Sequence, residues 1–303
     1  MANNIAHFHL PGLFEFYPLY KVFIPLFYQH REYFYPWCDI ASIYGSPYDC
    51  LWGGGRTGYP SDYDDNPKKI IDFVNNYNIQ ARLTFSNSLL KNEHLSDTKC
   101  NKLCSLLNKD TNIKNGVIIY SDLLLDYIKS KYPSLYFVSS TTKVITDFNA
   151  FLEEVNRPEF SYVVLDFRLN KDFDKLCSLS PFQKDKVEFL CNECCFIGCK
   201  DRSICYQSVS KKNLGIICDD HICKAPNGNQ GYKFSTAMKN PSFIGIDHIK
   251  DTYIPMGFSN FKIEGRGLGS AMILEFLLYY LTKPEYQINV REHIYLDSML
   301  DIF

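Results

Sequence analysis

From about residue 39 onward, short runs that alternate apolar and polar positions are interleaved with runs whose apolar residues recur every three or four positions. The first pattern predicts strands at Asp39–Tyr44, Ile79–Phe85, Gly116–Tyr120, Leu135–Ser139, Tyr162–Leu165, Lys186–Cys191, Phe243–Gly245 and Asn260–Ile263. The second predicts helices in PKKIIDFVNNY, DTKCNKLCSLLNK, SDLLLDYIKSKYP, DFNAFLEEVNRP, NKDFDKLCSLS and GSAMILEFLLYYLTKP. Proline in the first turn of one helix, and a serine cap with a proline stop on another, mark ends where the backbone needs them.

Eight strands separated by helices in one chain of 303 residues predict an α/β fold, a single TIM-like (β/α)8 barrel. An open doubly wound sheet is the alternative, because alternation does not reveal closure. No linker or low-complexity tract divides the chain, so residues 1–303 are expected to form one domain: an N-terminal cap at 1–38, the barrel at 39–285 and a C-terminal tail at 286–303. The cap expectation rests on the aromatic run Phe8–Tyr35, which His9, Glu15, Lys21, His30, Arg31 and Glu32 interrupt. Its longest uncharged stretch, Val22–Tyr28, is far below the roughly 20 residues of a membrane span. The unit after the sixth expected strand is irregular, with a cysteine-rich excursion from Cys199 to Ser242.

Composition adds bounds. Apolar residues make up 46% and charged residues 22%, enough for a large core. The net charge of −2 supplies no global field toward nucleic acid. No signal peptide is evident and the cysteines are not spread as a disulfide scaffold, so a cytoplasmic setting is expected.

Seven of the twelve cysteines fall between Cys191 and Cys223. Clustered thiols select zinc or iron–sulfur centres over hard cations. Cys195 and Cys199 are separated by three residues, and Cys50 follows the strand expected to be first. In a barrel these segments open on the same face, so Cys50 is expected to reach the pair. The fourth thiolate is open among Cys223, Cys218, Cys205, Cys194 and Cys191. Four thiolates suit tetrahedral zinc or a [4Fe–4S] cluster. Two separated Cys-x2-Cys knuckles are absent from the sequence. The three-cysteine radical S-adenosylmethionine spacing also fails, because Gly198 and Arg202 stand where further cysteines are needed.

Polar residues collect at the C-terminal ends of the expected strands, which is the reactive face of such barrels. Arg56, after Gly53-Gly54-Gly55, and Arg168 are candidates to hold an anionic group, with Asn192 beside them. In FKIEGR, alternation turns Lys262 and Glu264 inward, as an internal ion pair or a substrate contact. Glu264 and Arg266 are the candidates to orient substrate. No serine–histidine–acid arrangement stands out among the seven histidines.

IYGS after the strand expected to be first, VEFLCNECC, and above all IDHIKDTYIPMGFSNFKIEGR together resemble the collagenase-like peptidase family U32, from about Asp39 to Tyr280. The resemblance implies a barrel that carries a [4Fe–4S] cluster, with Cys50, Cys195, Cys199 and Cys223 as ligands and zinc as the alternative. It also implies oxygen-independent hydroxylation or oxidation of a small-molecule or RNA substrate. Peptidase-like hydrolysis is a second implication. A zinc-stapled, non-enzymatic subunit paired with a homologous partner is a third. The chain departs from the family pattern where Asn192-Glu193 replaces His-Gly before the late cysteines.

Overall fold

A computed structural model describes residues 5–55, 66–109, 111–219, 221–226 and 231–299. Eight parallel strands close into a barrel in sequential order. They are β1 (Ala6–Pro11), β2 (Cys38–Gly45), β3 (Gln80–Phe85), β4 (Gly116–Ile119), β5 (Tyr136–Ser139), β6 (Phe160–Val164), β7 (Val187–Leu190) and β8 (Asn260–Lys262). β1 closes the ring by pairing with both β2 and β8. The expected α/β barrel is therefore the observed fold.

Its first stave differs from expectation. β1 lies inside the stretch expected to be a cap, so Asp39–Tyr44 belongs to the second strand. The reason is visible in AHFHLP. Ala6, Phe8 and Leu10 join the apolar layer outside the barrel, where Phe8 packs on Phe261 and Tyr280. His9 turns into the barrel toward Ser42 and Glu188. This is an ordinary period-two strand, hidden by aromatic neighbours. The rest of the aromatic run forms helix α1 (Tyr17–Gln29), which packs on the C-terminal helix Gln287–Met299 outside the barrel. Phe243–Gly245, in contrast, is not a strand. Glu188 pairs directly with Asn260, leaving no place between β7 and β8, and Ile244 donates one backbone bond to the Cys191 carbonyl.

The helices are α2 (Pro67–Asn76), α3 (Thr98–Leu107), α4 (Asp122–Lys131), α5 (Phe148–Asn156), α6 (Phe173–Cys177), α7 (Pro181–Lys186) and α8 (Arg202–Asn213), followed by shorter turns and Ser270–Leu281. Asp97, Ser121 and Asp147 cap α3, α4 and α5 by accepting amide hydrogens in their first turns. Outward residues of the strands merge with the helices into one apolar layer, while inward Tyr44, Ile118, Val138, Val164 and Leu190 form a separate small cluster within the ring. Among the described residues no helix is long and apolar enough to cross a membrane.

Candidate functional site

Below the inner apolar cluster the barrel holds charge. Glu188 on β7 meets Arg82 Nη1 of β3 at 2.5 Å and Lys262 Nζ of β8 at 2.8 Å. The Arg82 Nε donates to the Tyr136 hydroxyl at 2.6 Å, and its guanidinium lies over the Tyr162 ring. His9 Nε2 lies 3.5 Å from Glu188, and its Nδ1 is 2.8 Å from the Ser42 hydroxyl. Burial alone would raise the Glu188 carboxyl, but Lys262, His9 and Arg82 hold it well below the carboxylate range. Lys262 is lowered by burial despite Glu188. Burial, reinforced by Arg82, keeps His9 well below the ordinary histidine value, so the ring is neutral at pH 7. The FKIEGR lysine thus makes the internal ion pair that its alternation allowed.

His9 gives a pH signature. Its folded pKa lies below 6.5, so the unfolded chain takes up the proton first as pH falls. The stabilising contribution is complete above 6.5 and is lost below it. Burial lowers His7 in the same direction, with Asp39 opposing. The midpoint of urea unfolding should therefore fall between pH 7 and pH 5, and His9→Asn should flatten that slope.

Above this layer, at the C-terminal ends of the strands, lies a cavity of about 1140 Å³. Cys194, Cys195, Cys199, Cys205 and Cys223 all line it, together with Glu264 and Arg266. Two buried contacts place the cysteine loop. Arg202, at the start of α8, meets Glu193 at 2.6 Å, both side chains being almost fully enclosed, and Glu193 Oε1 accepts the Cys195 amide at 2.8 Å. Arg168, held by a two-pronged contact to Asp166, donates to the Cys199 carbonyl at 3.1 Å. Glu264 Oε1 accepts the Cys194 amide. Ligand atoms of Glu193, Cys194 and Glu264 lie within 4.8 Å of one another.

The expected site residues separate into groups. Cys195, Cys199 and Cys223 share the cavity with Glu264 and Arg266. Arg266 is tied to Glu15 at 2.9 Å and to the Ser46 hydroxyl at 3.2 Å, so it braces the rim at the first two loops. Asn192 is fully buried and exchanges two bonds with the Glu264 backbone, locking β8's exit to β7's. Arg168 likewise carries the loop. Arg56 lies outside the described residues.

Cys50 departs from expectation. It is buried, it does not line the cavity, and its thiol pairs with that of Cys100 on α3, with Cys104 close by. The loop after β2 turns outward because Trp52 inserts between Phe85 and Tyr127 and donates to the His94 carbonyl. The bond to Cys50, together with burial, pushes the Cys100 thiol up.

Sequence reasoning missed His9, Arg82 and Glu188 as a cooperating set. Each is the polar member of a period-two strand, as in QARLTF, and that was the available signal.

Fold and site together define a closed (β/α)8 barrel with a cysteine-lined cavity at the C-terminal ends of its strands. No protein-family model and no curated protein sequence matches the chain. Among solved structures, that of the U32 peptidase Mk0906 superposes with a TM-score of 0.51 at 13% identity, over 86% of this chain and 93% of that one. The chain therefore has a U32-like fold.

Proposed function

We propose that this chain is an iron–sulfur protein that takes part in oxygen-independent oxidation or hydroxylation of a small molecule bound at the barrel rim. The observation that carries this reading is the convergence of five cysteines on one cavity. Cys195, Cys199 and Cys223 would serve as three ligands, with Cys194 or Cys205 in the place expected for Cys50. The donor set fits a [4Fe–4S] group, which takes four thiolates. It fits tetrahedral zinc less well, since thiolates at 2.3 Å from one ion stand roughly 3.8 Å apart. No three thiols among the described residues are gathered that closely. When bound, the cluster supplies one-electron transfer. The chain's own residues set the loop in place through Glu193, Arg202 and Arg168, and present Glu264 at the cavity wall. A cavity of this size can enclose a small molecule.

Protein purified without oxygen should be brown, with iron and acid-labile sulfide in equal amounts. A colourless, iron-free protein would remove the redox reading. The proximity of Glu193, Cys194 and Glu264 favours a second reading: one divalent ion with an open position for water, as in the hydrolysis implied by the fold relative's peptidase name. Stoichiometric zinc without sulfide would select it.

A further inference from the structure

Cys194, Cys195 and Cys199 enter the cavity from the loop that follows β7. Across the ring, Thr84 at the end of β3 and Ser86 just beyond it line the opposite wall, 7% and 1% exposed. Neither hydroxyl has a hydrogen-bond partner. A buried polar group left unpaired is costly, so native folds keep few of them. The nearby Ser140 and Thr142 hydroxyls, by comparison, are bonded to each other at 2.9 Å. Gly54 closes over Ser86: a Cβ there would lie 2.3 Å from the Ser86 carbonyl oxygen, so only glycine lets the two backbones meet. Two unsatisfied hydroxyls on neighbouring residues of the cavity wall point to a polar group that arrives with a ligand.

The sign of that group follows from the surrounding charge. Lys200, Lys233 and Lys239 line the cavity, and no carboxylate among the described residues pairs with them. Lys262 also lines the cavity, and it and the buried Arg82 share Glu188 as their carboxylate, since His9 is neutral. Asp201 and Glu264 also line the cavity, with Asp201 paired to Lys224, so the lysines still outnumber the carboxylates around the space and the field attracts an anion. Between wall and floor the surface is apolar, formed by Tyr44, Ile118, Val164 and Leu190.

We propose that Thr84 and Ser86 form a subsite for the anionic end, a carboxylate or a phosphate, of a small molecule whose apolar body lies on Tyr44, Ile118, Val164 and Leu190. This names the substrate class of the site described above. It rests on that cavity being the functional one, and not on the cluster.

Calorimetric titration of the full chain with phenyl phosphate, phenylacetate and the neutral benzyl alcohol tests it. At least one anion should bind about tenfold tighter than the alcohol, and the tighter anion identifies the head group. Thr84→Val combined with Ser86→Ala should lose about tenfold in anion affinity, with benzyl alcohol binding unchanged. The double variant should unfold at the same temperature as the parent or higher, because unpaired hydroxyls are being removed. Equal binding of alcohol and anions, or unchanged anion affinity in the double variant, would overturn the subsite. Repeating the titration with Cys195→Ser separates the two readings. Anion binding that persists in an iron-free chain supports the subsite while the cluster fails. An iron-loaded chain that binds no anion sinks the subsite alone.

Discussion

Glu188→Ala is expected to destabilise the protein by about 3–5 kcal/mol, the range found when one partner of a buried charge set is removed. The side chain is fully enclosed, with Arg82 at 2.5 Å and Lys262 at 2.8 Å. Its loss would leave the fully buried Arg82 and the almost fully buried Lys262 without their carboxylate, with tyrosine rings against both. The damage comes from the orphaned charges rather than from the missing contacts. Replacing Glu188 and Arg82 together with apolar residues should therefore cost less than the two single changes summed. Urea unfolding at pH 7 measures this. A shift under about 1 kcal/mol for Glu188→Ala would mean that the interior is far wetter than its burial indicates.

Arg202→Ala is expected to act locally and strongly. Arg202 closes the buried pair with Glu193 at 2.6 Å and packs over the Phe167 and Tyr206 rings. Glu193 in turn accepts the Cys195 amide, so an uncompensated Glu193 would turn toward water and take the loop with it. Amides of Cys194, Cys195 and Cys199 should exchange with deuterium on the order of a hundredfold faster, corresponding to about 3 kcal/mol of lost local protection. The staves β3 to β6 should keep their protection. Uniform acceleration across the barrel would show that the pair supports the whole fold instead.

Most staves of the barrel were legible because one inward polar or small residue alternates with outward apolar ones, as in QARLTF and NFK. The N-terminal stave was masked, since the same alternation in AHFHLP sits within a run of aromatics. Phe243–Gly245 misled for the opposite reason: it is apolar and buried, but it makes a single backbone bond to the Cys191 carbonyl rather than a ladder. At the site, the density of cysteines after β7 pointed to the rim where the cavity lies. The path of the loop carrying Cys50 was not legible, because the position of Trp52 between Phe85 and Tyr127 decides it. Nor could the sequence reveal that Arg168 and Asn192 hold backbone, or that Thr84 and Ser86 lack partners. Such facts depend on which neighbours three-dimensional closure leaves within reach.

The most direct test is iron and acid-labile sulfide per chain in anaerobically purified protein, measured beside Cys195→Ser and Cys50→Ser. The parent and Cys50→Ser are expected to carry both elements, and Cys195→Ser to lose them. An iron-free parent, or a cluster that vanishes with Cys50 and survives without Cys195, would contradict the assignment of the rim cavity as the metal-binding centre.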